Sequence, residues 1–384
     1  MRIVYVLTSL GVGGAERQVL ALAARMAQRG HSVALMVLRP TVAEEWPTDL
    51  PVLRLGMNKS PMGVLAGLAR ARRFLLDFRP DLVHSHSFHA NLVARLLKLL
   101  APAPVIVSTV HNVYEGGWHR MLAYRLTDPL SRRTTAVSQA VAERFIRLGA
   151  IPRRKCVVIT NGIDAGEFSP DTARREEMRA RMRAGSDFVW IAVGRLVPAK
   201  DFPNLLAAFA QARAALPQTQ LWIAGAAMDG SIDSAGPGGD ASLPQPASDD
   251  RVRWLGLRRD LAALLDAADG FVLSSAWEGM PLALGEAMAM EKPVVATDVG
   301  GVRELAGDAA TLVPARDPMA LAAAMLDLMR QPTAARQALG GAARERIAAQ
   351  FSIDRRADDW EELYGAELGA PTKSGRSVSP GRLP

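Results

Sequence analysis

The sequence predicts an α/β protein built from two doubly wound parallel sheets in tandem, and three observations carry that reading. Short, wholly apolar runs recur along the chain, as strands covered on both faces require. Stretches with apolar residues at helical spacing separate them. The alternation lapses once, near residues 165–187, and then restarts.

Each element follows in order. RIVYVL (2–7) is a strand that runs into the Gly-rich turn GVGGAE (11–16). RQVLALAARMAQRG (17–30) has helical spacing and stops on Gly30, a residue suited to a left-handed cap. The apolar runs 31–38, 81–86, 105–112, 134–138 and 155–163 read as the strands that complete the first sheet. In the second half, 188–196, 220–226, 251–257, 270–275, 293–298 and 310–314 read as strands, with helices at 204–216, 259–268 and 282–290. Residues 228–250, rich in Gly, Pro, Ser and Asp, read as a surface insertion, and 369–384 as a disordered tail. The expected domains are 1–165 and 166–350. An acidic amphipathic helix at 351–368 is suited to packing back on the basic first domain.

Composition narrows the class. With 49% hydrophobic and 22% charged residues among 384, the chain can bury two sizeable cores. The single cysteine, Cys156, reads as a core residue; it excludes a disulfide framework and points to a reducing, cytoplasmic compartment. The opening MRIVYVLTSLGVGG reads as a strand entering a loop, not as a signal peptide, and no apolar run reaches 18 residues. The net charge of +7 hides an asymmetry: residues 1–165 carry 22 Lys/Arg against 10 Asp/Glu, the remainder 24 against 29. Such a split suits an anionic partner. Nucleic acid is not expected, because no zinc-finger, aromatic RNA-binding or helix-turn-helix signature accompanies the charge. An anionic membrane surface is the better match, and arginine on solvated faces accounts for part of the excess.

Three segments carry chemistry. Gly11, Gly13 and Gly14 follow the first strand, where open α/β sheets bind ligands and backbone N–H groups meet anions at a helix N-terminus. A dinucleotide fingerprint would need Gly where Glu16 stands, and the second strand ends at Arg39 rather than an acid, which weakens a dehydrogenase reading while leaving an NADP version open. A tight turn without a ligand also remains open there. In VGRLVPAKDFPNLLAAF (193–209), Arg195 and Lys200 occupy a strand-to-helix loop and suit a diphosphate. The strongest stretch is SSAWEGMPLALGEAMAM (274–290). Glu278 precedes Gly279, Met280, Pro281 and Leu282 at a helix start, and Glu286 lies on an otherwise apolar helix where it needs partners. Protein groups or ligand hydroxyls both qualify. His84, His86 and His89 could be read as a metal cluster.

Taken together, GGAER, STVHN (108–112), AVSQAVAERF (136–145), VITNGID (158–164), VGRL…K (193–200) and the Glu-x7-Glu stretch (278–286) resemble the retaining glycosyltransferases of family 4, the group 1 class. The resemblance covers the chain to about residue 365. It implies the GT-B fold, in which two Rossmann-like domains face each other across a cleft, the first binding the acceptor and the second the nucleotide sugar. It implies neither metal nor cofactor. Position by position, it implies that Gly13 and Gly14 approach the diphosphate or sugar. His111 would sit beside the reacting sugar, with His86 and His89 lining the acceptor side. Arg195 and Lys200 would neutralise the leaving diphosphate, and Arg258 would lie near the base. Glu278 would hold sugar hydroxyls, Gly279, Met280, Pro281 and Leu282 would give backbone contacts, and Glu286 would bind the ribose. Met280 stands where the family often has Phe. The implied function is transfer of a sugar from a UDP- or GDP-linked donor to a lipid-linked or saccharide acceptor with retention, in lipopolysaccharide or exopolysaccharide assembly. A nucleotide-sugar epimerase of the same fold and a non-catalytic binding protein are the alternatives.

A lipid-linked acceptor would bring the first domain to the inner face of the membrane. Segments 62–79 and 118–133 interleave Leu65, Leu68, Leu75, Leu76, Trp118, Met121, Leu122 and Tyr124 with arginines, the texture of basic amphipathic helices. Helices burying those Leu faces in the domain core would show the same pattern.

Overall fold

The structure is a computed structural model that describes residues 1–11, 13–40, 45–101, 104–225 and 250–369. The insertion expected at 228–250 and the tail expected at 369–384 lie outside the described residues, apart from Asp250 and Gly369. The described residues divide into two compact units, one of residues up to 162 together with 353–369 and one within residues 163–352.

The first unit runs β1 (Arg2–Leu7), α1 (Gly14–Gln28), β2 (Ser32–Val37), β3 (Val52–Arg54), α2 (Pro61–Phe78), β4 (Leu82–His86), α3 (Phe88–Leu97), β5 (Val105–Val110), α4 (Trp118–Thr127), β6 (Arg133–Ala136), α5 (Gln139–Arg147) and β7 (Cys156–Val158). The second runs α6 (Thr172–Arg181), β8 (Phe188–Val193), α7 (Phe202–Ala215), β9 (Thr219–Ala224), β10 (Val252–Gly256), α8 (Leu261–Ala267), β11 (Gly270–Leu273), α9 (Leu282–Ala289), β12 (Val294–Thr297), α10 (Val302–Ala306), β13 (Thr311–Val313), α11 (Pro318–Arg330) and α12 (Thr333–Gln350). The chain then returns to the first unit with α13 (Ile353–Glu367).

Among the described residues the strand orders are β3-β2-β1-β4-β5-β6-β7 and β10-β9-β8-β11-β12-β13, with every pairing parallel. The apolar runs follow from burial on both faces. Ile3, Tyr5 and Leu7 join one core cluster with Val19, Leu22 and Met26 of α1 and Trp360, Leu363 and Tyr364 of α13. Val4 and Val6 join the opposite cluster with Ala71 and Leu75 of α2 and Ala90 and Ala94 of α3. Period-two alternation is therefore present but both registers are apolar, so the strand reads as continuous.

Three sequence expectations need adjustment. Strand β3 is short, half-buried and preceded by Pro51, and its apolar residues gave too little signal to be counted. Segment 118–133 is not one helix: α4 stops at Thr127, a tight turn follows at 128–130, and Arg133 begins β6. Cys156 opens β7 half-buried rather than in the core, and burial still pushes its thiol up to about 11.

The last helix is tied to the first unit by charge as well as packing. Arg25 meets Asp354 (2.8 Å), Arg29 meets Glu361 (3.0 Å), and the well-buried Glu367 receives Arg132 (2.7 Å) and Arg133 (2.5 Å). Exposed pairs add little; the apolar anchor carries more. Trp360 is buried with its ring 4.4 Å from that of His84. Truncating a buried Trp costs about 3–5 kcal/mol. Trp360→Ala should therefore lower the urea midpoint of the transition that unfolds the first unit, and an unshifted midpoint would show that α13 is not part of that core.

Candidate active site

Each sheet has a point where strand order reverses, and ligands of open α/β folds bind at the carboxyl ends of the strands there. In the second unit the reversal lies between β8 and β11, whose pairing matches Trp190 with Gly270 and Ile191 with Phe271. The loops leaving those two strands carry Lys200 and Glu278.

The structure brings these two together although 78 residues separate them. Lys200 Nζ donates to Glu278 Oε1 (2.6 Å), and Ser275 Oγ donates to the same oxygen (2.6 Å). Both side chains are largely buried, at 17% and 9% exposure, so each depends on the other for charge compensation. Backbone bonds fix the two loops: Ala276 N donates to Ala199 O (2.8 Å), Ser274 Oγ to Lys200 O (2.8 Å) and Gly301 N to Gly279 O (2.9 Å). Glycine allows one close approach and is required at another. A Cβ on Gly194 would lie 2.8 Å from Lys200 Cε, and one on Gly300, at φ +54, would lie 1.9 Å from the Glu278 carbonyl oxygen.

The other residues of this unit fall around the same edge. Gly279, Met280 and Pro281 lead into α9, with Pro281 as its cap residue, Leu282 as its first residue and no side chain capping the first turn. Glu286 is buried at 5% exposure on the same helix. Arg195 is exposed on the loop after β8. Arg258, after β10, is held locally by a two-pronged bond to Asp260 (2.8 and 2.5 Å), which raises its pKa. Ser275 and Gly300 were missed from sequence, since neither belongs to a pattern distinguishable from ordinary loop residues.

In the first unit the reversal lies between β1 and β4. Gly13 is the cap residue of α1 and Gly14 its first residue. Glu16, where the fingerprint would need Gly, folds back so that a Cβ on Gly13 would lie 2.3 Å from its carboxylate. His86 ends β4 and His111 follows β5; His86 Nδ1 and His111 Nε2 are 3.0 Å apart. His89 sits in the first turn of α3, half-buried, with its ring against Phe88. His84 spends both ring nitrogens on the protein, Nδ1 on Tyr364 Oη and Nε2 on Thr109 Oγ1, each at 2.6 Å. Among the described residues no group of three or more His, Cys, Asp or Glu side chains is arranged to hold a metal ion. A small recess with room for about one water molecule is lined by His86, His111, Gln18, Thr160, Asn161 and Trp360 among others. Glu115 was also missed: it accepts from the His111 backbone N–H (2.9 Å) and from Tyr124 Oη (2.6 Å), fixing the loop that carries His111.

Comparison with known proteins places this arrangement. Residues 12–167 match the family model described as Glycosyltransferase Family 4, and residues 187–331 match Glycosyl transferases group 1. Glycogen synthase of Mycobacterium tuberculosis is 30% identical over 337 residues, covering 80% of this chain and 73% of that one. The UDP-Gal:alpha-D-GlcNAc-diphosphoundecaprenol alpha-1,3-galactosyltransferase of Escherichia coli is 28% identical over 260 residues, 64% of each chain. Among solved structures, Anabaena HepE in complex with UDP-glucose superposes with a TM-score of 0.81 at 22% identity, over 95% of this chain and all of that one. The chain belongs to the family 4, group 1 glycosyltransferases, and its two parallel-sheet units have the GT-B fold.

The histidine cluster sets a pH dependence. Burial holds His111 down at about 4 and keeps His84 and His86 well below the usual imidazole range. The unfolded chain binds protons near pH 6.5 that the folded chain refuses, so stability is complete above about 6.5 and is lost as pH falls toward 4. Each such histidine contributes a slope of about 1.4 kcal/mol per pH unit in that window. The melting temperature should fall between pH 7 and pH 5, and His111→Gln should flatten the fall; equal melting at both values would show that these side chains are not buried as neutral groups.

Proposed function

We propose that this glycosyltransferase moves a sugar from a nucleotide donor, UDP-linked in the first instance and otherwise GDP-linked, to a lipid-linked or saccharide acceptor with retention of configuration. The buried Lys200–Glu278 pair at the strand reversal carries the reading. Sugar transfer develops positive charge at the anomeric carbon and negative charge on the departing diphosphate. Lys200, Arg195 and the α9 N-terminus meet the diphosphate, and Glu278 meets sugar hydroxyls. Cations and backbone dipoles fixed in advance at the growing charge are the main catalytic devices available. Glu286 takes the ribose, Arg258 lies near the base, and Gly279, Met280, Pro281 and Leu282 give backbone contacts. From the first unit, Gly13 and Gly14 approach the donor, His111 a hydroxyl of the reacting sugar and His89 the acceptor, while His86, expected from sequence to line the acceptor side, is buried and stands behind His111, bonded to it. A donor phosphate oxygen helps deprotonate an acceptor entering on the same face. The UDP-sugar named for the E. coli relative and the UDP-glucose bound by HepE support the donor class.

A panel of UDP- and GDP-sugars read by thermal shift identifies the donor, because ligands of the native state raise its melting temperature. With that donor, Lys200→Ala and Arg195→Ala should lower turnover by roughly 10²-fold or more. Glu286→Gln should weaken binding of the bare nucleotide, whereas Glu278→Gln should act mainly on the sugar nucleotide. Equal loss of bare-nucleotide affinity in both Glu variants removes the assignment of ribose and sugar.

Of the two acceptor classes we favour the lipid-linked one, which the diphosphoundecaprenol in the name of the E. coli relative supports, with surface-polysaccharide assembly at the cytoplasmic face of the membrane as its setting. No helix of the described residues is long and apolar enough to cross a membrane, so contact would be peripheral. The structure removes some of the side chains the sequence suggested, keeps others and adds Met62, Leu99 and Leu126. Leu75, Met121 and Tyr124 are buried, Arg132 and Arg133 are spent on Glu367, and Arg70 donates to Leu55 O. Met62 and Leu65 on α2, Leu99 after α3, and Trp118, Leu122 and Leu126 on α4 remain exposed. The same segments carry the exposed Arg73 and Arg125, and Arg72, which also donates to Leu100 O (2.7 Å). Apolar tips among cations favour an anionic leaflet. Vesicles containing anionic lipid should co-sediment the protein at low salt, and Leu65→Ser with Trp118→Ser should abolish this. Binding indifferent to lipid charge, or unchanged in that double variant, removes this face from the proposal.

A further inference from the structure

We infer that His86 is a positioning residue that fixes the proton of His111 on Nδ1, so that His111 acts as a hydrogen-bond donor through that nitrogen. The inference rests on the reading of His111 as a group beside the reacting sugar.

Two neutral imidazoles joined by one hydrogen bond must divide the roles, one ring nitrogen donating and the other accepting. Here the bond joins His86 Nδ1 and His111 Nε2 at 3.0 Å. The remaining nitrogen of His86, Nε2, is buried and has no hydrogen-bond partner among the described residues. An orphaned N–H is the rarer and costlier of the two possible orphans. Nε2 of His86 is therefore the bare nitrogen, and its proton sits on Nδ1. His86 donates, His111 Nε2 accepts, and the only place left for the His111 proton is Nδ1.

The His86 ring is fixed tightly enough to impose this. It lies 3% exposed, 4.0 Å from the His84 ring and stacked at 6.0 Å on Tyr5. His84, with both nitrogens engaged, is not free to take over as partner of His111. The Glu115 carboxylate holds the His111 backbone N–H, so the main chain is anchored while His86 sets the ring. The depressed affinity of both rings for a second proton keeps each in the single-proton state on which the division of roles depends.

The tautomer is read directly on the full chain without ligand, from the long-range ¹H–¹⁵N spectrum of its six histidines at pH 7.5. His111 should be protonated at Nδ1 and bare at Nε2. His86→Phe removes the donor and should release His111 toward the Nε2–H form, whereas His86→Asn, whose amide nitrogen falls near the position of Nδ1, should retain Nδ1–H. With the sugar nucleotide identified by the panel, His86→Phe should lower kcat by about tenfold, the scale of one hydrogen bond. KM should stay within about twofold, and the loss should vanish in a His111→Phe background. An Nε2–H His111 in the unmodified protein, or a His111 tautomer indifferent to His86→Phe, overturns the inference. If His86→Phe does not fold, the unmodified spectrum and His86→Asn decide it. A normal rate for His111→Phe instead removes His111 from the transfer reaction and leaves the tautomer assignment standing, so the two failures are distinguishable.

Discussion

Reversal of strand order within an all-parallel sheet is the constraint on which the rest of this molecule depends. Parallel strands send all their carboxyl ends to one edge, and helices from the two sides diverge where the order turns. Neighbouring loops are left uncovered at that point and nowhere else along the edge. The reversals between β1 and β4 and between β8 and β11 decide which loops those are. The residues with chemistry to offer, Gly13 and His86 in one unit and Lys200 and Glu278 in the other, all stand on loops or strand ends at a reversal.

The two units solve the burial of polar groups at that edge in opposite ways. The second keeps charge, with Lys200 against Glu278 supported by Ser275 and flanked by glycines that let main chain approach. The first relies on neutral groups: His84 bonds Tyr364 and Thr109, which bond Tyr5 and Thr135, His86 and His111 bond each other, and burial disfavours ionisation of these histidines and tyrosines. A charged site suits a charged donor, and a neutral one suits hydroxyls, which carry no charge to compensate.

Much of this was legible in the sequence because parallel strands buried on both faces write themselves as unbroken apolar runs. The runs at 2–7 and 188–196 located β1 and β8, and the Glu-x7-Glu stretch located α9. Local signals served where the cause was local. They failed where the partner was distant. Nothing around Lys200 announces Glu278, nothing around His86 announces His111, and the arginines at 132 and 133 read as free cations until Glu367 is placed beside them. Strand β3 was lost for a different reason: three half-buried residues at a sheet edge have little hydrophobic pattern to display.

The return of α13 to the first unit has a consequence for the order in which the chain is made. Residues 163–352 form a contiguous unit, whereas the first unit needs residues 353–367 to cover Tyr5, His84 and the β1 face. A ribosome delivers that covering helix only after the whole intervening unit. The domain begun first is thus the domain finished last, and until then its central strands have one face without its lid. The depletion of charge from that face, which makes it a good core later, makes it the segment most in need of shelter during synthesis.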